Sequence, residues 1–136
     1  MDAIIERILG NDRAADHYGM ETLEYADGHA AVGMEIGDRH LNGNGTVHGG
    51  VLFALADVAF ALAANSRGTA VAAQAGISFC AAVRSGRLVA TAREVSLGGR
   101  LGTYLVEIRD GEGKFVASFQ GLAYRTTVPR PSSRTP

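Results

Sequence analysis

The sequence predicts an α+β domain in which one apolar helix packs against an antiparallel sheet. Two observations carry the prediction. Across residues 51–64 every position is apolar except Asp57. After Gly68 the pattern turns to strand signals, which continue to Arg125. A helix that is apolar all round has no side to give to water, so the sheet is expected to wrap it. No repeat or linker divides the chain, and 136 residues is the length of one domain with a real core.

Each element can be justified in order. Residues 2–17 read as a helix, with Ile4, Ile5, Ile8 and Leu9 forming a narrow stripe beside Glu6, Arg7 and Asp12. From Met20 the period changes. Asp27-Gly28 is a hairpin-type turn, and Ala30, Val32, Met34 and Ile36 then alternate as on a half-buried strand. GDRHLNGNGTVHGG is a Gly- and Asn-rich loop leading into the apolar helix, which Thr46 or a neighbour caps and Asn65 with Gly68 ends. In the next strand Val71, Ala73, Ala75, Ile77 and Phe79 are expected on one face and Ala72, Gln74, Gly76 and Ser78 on the other. Strands over 88–95, 103–109 and 114–125 follow, joined by SLGGRLG and the DGEG turn at 110–113. The domain is expected to fill residues 1–127, and the Pro- and Ser-rich VPRPSSRTP at 128–136 reads as a disordered tail.

Composition narrows the function. With a net charge of −1 and no block of Lys or Arg, nucleic acid and anionic membrane are not expected partners. The single cysteine, Cys80, excludes an internal disulfide and fits a reducing compartment. MDAIIERILG lacks the basic start of a secretory signal, and the apolar run is shorter than the ~20 residues that span a bilayer. A soluble cytoplasmic protein is expected.

Asp57 then asks for a reason, because a carboxylate in an oily helix is costly without partners. One reading is structural, with a buried Arg or backbone donors satisfying it. The other is chemical. Gly49-Gly50 opens the helix with no Cβ to block approach to its free N–H groups, and those groups with the helix dipole make an oxyanion site. Asp57 would be the base or nucleophile of such a site, and His48 either a polar residue near the cap or part of it. No metal cluster is expected, since the four histidines (17, 29, 40 and 48) are scattered and there is one cysteine. Gly49 and Asp57 are eight residues apart, about 12 Å along a helix, whereas attack needs an approach of roughly 3 Å. One helix cannot supply both groups. Two antiparallel copies across a two-fold axis can, so a catalytic site implies at least a dimer.

The run HLNGNGTVHGGVLFALADVAFALAANSRG resembles the hotdog-fold acyl-CoA thioesterases, most closely the phenylacetate-pathway (PaaI-type) branch, over roughly residues 10–126. The asparagine–HGG–LAD spacing carries that resemblance. It implies a hotdog fold, an antiparallel sheet wrapped around a central helix. It implies hydrolysis of an aryl- or arylacetyl-CoA, such as phenylacetyl-CoA or a ring-hydroxylated relative, with no metal or redox cofactor. It also implies a dimer of dimers with active sites across the dimer interface. The family's polarising amide falls on Gly49, its carboxylate on Asp57 and its loop amide on Asn42. His48 is the histidine that supports the carbonyl site, and Gly50 stands beside it as a substrate contact. Ala61 replaces the threonine of hydroxybenzoyl-CoA relatives, leaving Asn42 as the residue to orient water and favouring Asp57 as general base over nucleophile. Ser78, Phe79, Cys80, Ala81 and Ala82 depart from the family's acidic or amide residue followed by FLRP. Arg100, in LGGRLG, is a candidate for CoA phosphate, or a solvated loop residue. Two other readings stay open: an acyl-CoA hydratase or dehydratase with an Asp–His pair, and a non-catalytic acyl-CoA-binding protein.

Overall fold

A computed structural model describes residues 3–126, so the tail expected at 128–136 lies outside the described residues. Two short helices come first, α1 (Ala3–Ile8) and α2 (Arg13–Tyr18), followed by the hairpin β1 (Glu21–Ala26) and β2 (His29–Glu35). A single 3-10 turn, Asp38–His40, leads through the glycine-rich loop into the long helix α3 (Gly49–Asn65). Four strands complete the fold: β3 (Ala70–Phe79), β4 (Arg87–Leu97), β5 (Leu101–Asp110) and β6 (Phe115–Arg125).

The single helix expected over 2–17 is two helices. Asp12 is extended, and its side chain accepts the Ala15 N–H at 2.9 Å, so it starts a new helix rather than continuing the first. At Gly10 the chain returns onto α1 so closely that a Cβ would sit 2.6 Å from the Glu6 carbonyl oxygen. The Asp27-Gly28 turn joins β1 to β2 as expected, with Gly28 at φ 69°. β2 is more deeply covered than an alternating strand, because Ala31 and Gly33 are buried as well as Ala30, Val32 and Met34. Leu23 and the Arg87 guanidinium lie over Gly33.

The six strands form one antiparallel sheet in the order β1-β2-β4-β5-β6-β3. The β2-to-β3 connection therefore carries α3 across one face of the sheet and delivers β3 to the far edge. Leu55, Ala59 and Leu62 of α3 meet Leu88, Ala90, Val106 and Ile108 in a fully buried core. Truncating a residue such as Leu55 to Ala typically costs about 2–5 kcal/mol. Helix and sheet touch closely at Gly121, where a Cβ would fall 2.7 Å from the Phe60 ring. The wrap is incomplete. Phe53, Ala54, Asp57 and Ala61 form a half-buried stripe along α3, while the other positions from Val51 to Asn65 are buried.

β3 departs from strict alternation. A bulge between Ala72 and Gln74 puts Ala72 opposite Ala123 and Gln74 opposite Leu122. Ala75, Ile77 and Phe79 keep the common face expected of them, but Val71, opposite Tyr124, falls on the other. Among the described residues no helix is long and apolar enough to cross a membrane.

At the C-terminal end of α3 the interior turns polar. Arg67 grips Glu94 with two bonds, at 3.0 and 3.2 Å, and the Tyr104 hydroxyl donates to Glu94 at 3.0 Å. The fully buried Arg125 donates to the Tyr104 oxygen at 3.0 Å and faces Glu94 at 3.9 Å. Burial, with the neighbouring Glu94 charge, raises the Tyr104 pKa and keeps the phenol protonated.

Candidate active site

The loop before α3 is held from within. Asn42 Oδ1 accepts from the Asn44 and Thr46 backbone N–H groups at 2.9 and 3.2 Å, and its amide nitrogen donates to the Thr46 hydroxyl at 3.0 Å. Its carbonyl oxygen is thus committed to loop geometry. The buried His40 anchors the loop's other side. Its Nδ1 accepts from Gly37 N–H, its Nε2 reaches the Tyr18 carbonyl at 2.9 Å, and its own carbonyl accepts the His48 N–H at 2.8 Å.

His48, rather than Thr46, is the cap of α3, and its Nδ1 accepts the Gly50 N–H at 3.0 Å. That bond requires an unprotonated Nδ1, which puts the proton of the neutral ring on Nε2. The carbonyl of His48 takes the Val51 and Leu52 N–H groups at 2.9 and 3.1 Å. Of the four amides that open a helix, the one left without an acceptor among the described residues is Gly49. This selects Gly49 over Gly50 as the donor available to a ligand. A side chain at 49 would have to displace Phe79, since a Cβ there would lie 3.1 Å from its ring. Gly49 lines a cleft of about 380 Å³ together with Thr46, Val47, Leu52 and residues 79–82. Phe79, 56 % exposed, overhangs it, and residues 79–82 belong to the stretch that departs from the family pattern in the sequence.

Asp57 lies in a different cleft. About 250 Å³ in volume, it is lined by Ile8, Phe60, Ala61, Ala64, Asn65 and residues 70–72. Asp57 is half-buried, and its carboxylate has no hydrogen-bond or ion-pair partner among the described residues. Burial raises its pKa above the ordinary carboxylate value, and the nearby negative charge of Asp12 adds to the rise. The two clefts share no lining residue. One chain therefore brings together Asn42, His48, Gly49 and Gly50 at the start of α3 and leaves Asp57 apart from them. His48 makes no bond to Asp57, so an Asp–His pair is not formed within the chain.

Arg100 joins neither group. Its Nη1 donates to the Arg125 carbonyl at 3.0 Å, and its guanidinium stands 6.0 Å from the centre of the Tyr124 ring. It belongs to the sheet end where Tyr124 pairs with Val71, away from the Gly49 cleft. Among the described residues no three His, Cys, Asp or Glu side chains stand close enough to hold a metal ion.

The chain is similar in sequence and fold to known proteins. Residues 44–117, which include all of α3, match the family model of the thioesterase superfamily. A putative esterase of Archaeoglobus fulgidus is 40 % identical over 127 residues, covering 92 % of this chain and 82 % of that protein. The acyl-coenzyme A thioesterase PaaI of Escherichia coli is 40 % identical over 117 residues, covering 85 % of this chain and 84 % of that one. The structure of the E. coli PaaI protein, from the phenylacetic acid degradation operon, superposes with a TM-score of 0.86 at 36 % identity, with 91 % of each chain covered. With the six-stranded sheet and its central helix, these likenesses place the chain in the thioesterase superfamily, as a hotdog-fold enzyme of the PaaI type.

Proposed function

We propose that this protein hydrolyses the thioester of an aryl- or arylacetyl-CoA at a site shared by two copies of the chain. The observation that carries this reading is the separation of two complementary groups. A free amide at Gly49 and an unpartnered carboxylate at Asp57 lie in different clefts on one helix, and each needs what the other has. Two copies with antiparallel α3 helices bring the Gly49 of one to the Asp57 of the other. The half-buried positions Ala54, Asp57 and Ala61 mark the side of α3 that the sheet leaves for such a partner. The unpaired outer side of β3, with Val71 55 % exposed, offers a strand edge for it.

In this site the Gly49 N–H polarises the thioester carbonyl and meets the negative charge that develops on its oxygen. Asp57 takes a proton from water as the water oxygen bonds to the carbonyl carbon. The tetrahedral species then expels the CoA thiolate, which takes a proton, leaving free acid and CoA thiol. Asn42 keeps one amide hydrogen without an acceptor among the described residues, and that is the donor that orients the water. His48 fills the Gly50 amide and so presents Gly49 alone. The reading needs no metal or redox cofactor, CoA being part of the substrate. It takes in a cytoplasmic dimer of dimers, with Gly50 beside Gly49 as a substrate contact and Arg100 as an outlying contact for CoA phosphate. The arylacetyl preference draws support from the PaaI relative's place in a phenylacetic acid degradation operon.

The test is thiol release from phenylacetyl-CoA by mixed dimers. Asp57→Asn and Gly49→Pro are each expected to be nearly inactive alone, with Asn42→Ala replacing the second if it does not fold. Co-refolded in equal amounts, half the dimers carry both lesions at one site and none at the other. About a quarter of wild-type activity then returns. No recovery from two folded, separately inactive variants sinks the shared site.

A further inference from the structure

Core packing does not account for Phe79. Ala75 and Ile77, on the same face of β3, pack against the hydrophobic core, whereas Phe79 stands outside it with more than half of its surface exposed. An exposed aromatic alone says little. This one is held in place. Phe79 pairs with Ala117, and the next two N–H groups, of Cys80 and Ala81, both donate to the Val116 carbonyl at 2.8 and 3.1 Å. From that anchored strand end the ring reaches Gly49. A Cβ on the glycine would lie 3.1, 3.3 and 3.6 Å from Cζ, Cε1 and Cε2, so the tip of the ring is what meets it.

The two clefts divide β3 between them. Phe79, at its end, lines the Gly49 cleft, and Ala70, Val71 and Ala72, at its start, line the Asp57 cleft. β3 is the last strand of the sheet, and its outer edge pairs with no strand among the described residues. On the shared-site reading above, on which this inference rests, two copies of that edge pair antiparallel about a two-fold axis. The end of each strand then comes against the start of the other. Phe79 stands at the seam, between the Gly49 of its own chain and the Asp57 cleft of the second copy.

We propose that Phe79 is a positioning residue for hydrolysis: its ring shields the Gly49 N–H from bulk water, so that the thioester oxygen is the acceptor this N–H meets. An N–H open to solvent is already bonded to water, and its pull on a developing oxyanion is weakened by the high dielectric around it. A ring packed against the glycine takes the place of that water on one side. The same contact explains why residue 49 carries no side chain, since a Cβ would push the ring off its seat. His48 leaves Gly49 as the unspent amide, and Phe79 keeps it dry.

The experiment is a coupled substitution. kcat and KM for thiol release from phenylacetyl-CoA are measured for wild type, Phe79→Ala, Phe79→Leu, Gly49→Ala and the double variant Phe79→Ala with Gly49→Ala. Phe79 lies outside the core, so its variants are expected to fold, and circular dichroism checks each one. Phe79→Ala should lower kcat about tenfold with KM within about threefold, the mark of an effect confined to the transition state. Phe79→Leu restores bulk without the aromatic ring and should keep at least about half of the wild-type kcat. Gly49→Ala keeps the N–H but displaces the ring, and should also cost about tenfold. Made in the Phe79→Ala background, where no ring is left to displace, the same change should cost less than about threefold. The proposal is overturned by a Phe79→Ala kcat within about twofold of wild type, by a loss carried in KM alone, by a Phe79→Leu no better than Phe79→Ala, or by losses that simply multiply in the double variant. With any of those results, recovery in the mixed dimers of Asp57→Asn and Gly49→Pro still upholds the shared site. A wild type that releases no thiol overturns both.

Discussion

Glu94, where α3 ends, is held by two Arg67 bonds at 3.0 and 3.2 Å and by the Tyr104 hydroxyl at 3.0 Å, with Arg125 behind. Asp57, halfway along the same helix, has no partner among the described residues and faces a cleft. Both are carboxylates drawn into the interior, and the difference separates structure from chemistry. A structural carboxylate is surrounded with donors because an unsatisfied buried charge is costly. An unpartnered one is kept where that cost has another use. The fold has a buried arginine of the kind a structural Asp57 would need, but it is Arg125, and it serves Glu94.

Exchanging each acid for its amide should pull the two regions apart. The largest effect belongs to Asp57→Asn. It keeps the shape and removes the base, so turnover should fall by about 10³-fold, within the 10²–10⁴ range of general-base catalysis. Steady-state thiol release beside circular dichroism checks it. A variant that is poorly folded yet fully active per folded molecule would return Asp57 to a structural role.

Glu94→Gln should do the reverse. It strips the charge from between Arg67 and the fully buried Arg125, whose Nε and Nη1 already lack hydrogen-bond partners among the described residues. Losing one side of a buried pair typically costs 3–5 kcal/mol. The Glu94 side chain is 15 % exposed, so about 2–3 kcal/mol is expected here. Urea unfolding should show that loss while kcat of the folded variant stays near wild type. A stable variant with impaired turnover would blur the contrast between the two acids.

The same contrast explains what could be read in advance. Asp57 was legible because it interrupts an apolar run, and Gly49 because glycines open that run; both signals are local. The hairpin at Asp27-Gly28 and the six-strand order of elements were legible for the same reason. The Glu94 cluster was not, since Arg67, Tyr104 and Arg125 meet it only once the sheet pairs. The break at Asp12 hid behind continuous helical periodicity, with a single cap bond deciding it. The bulge near Ala73 lay in a run of small residues that carries almost no pattern. His48 was read as a polar residue near the cap or as support for the site, and its imidazole is the cap itself, in a place usually held by Ser, Thr, Asp or Asn.

The smallest expected effect is the sharpest on Asp57, because its sign differs from that of most substitutions. Burial, with Asp12 adding to it, raises the Asp57 pKa in the folded protein above the ~3.9 of an unfolded aspartate. Between those two values the unfolded chain holds fewer protons than the native one, so stability falls as pH rises through the window and stays lower above it. An amide in place of the carboxylate does not titrate. Asp57→Asn should therefore have a slightly higher Tm than wild type at pH 7, with the gap closing as pH falls below about 4. The gain is limited because the carboxylate is half-exposed and solvent screens it. The same ionisation should appear in catalysis, where kcat/KM falls on the acid side as Asp57 takes up its proton, with a midpoint above the ordinary carboxylate range. A wild type more stable than Asp57→Asn at pH 7 would mean that the carboxylate has found a stabilising partner, and would place Asp57 with Glu94 among the structural acids. A destabilising carboxylate whose protonation also stops turnover can only be one that the fold tolerates for its chemistry.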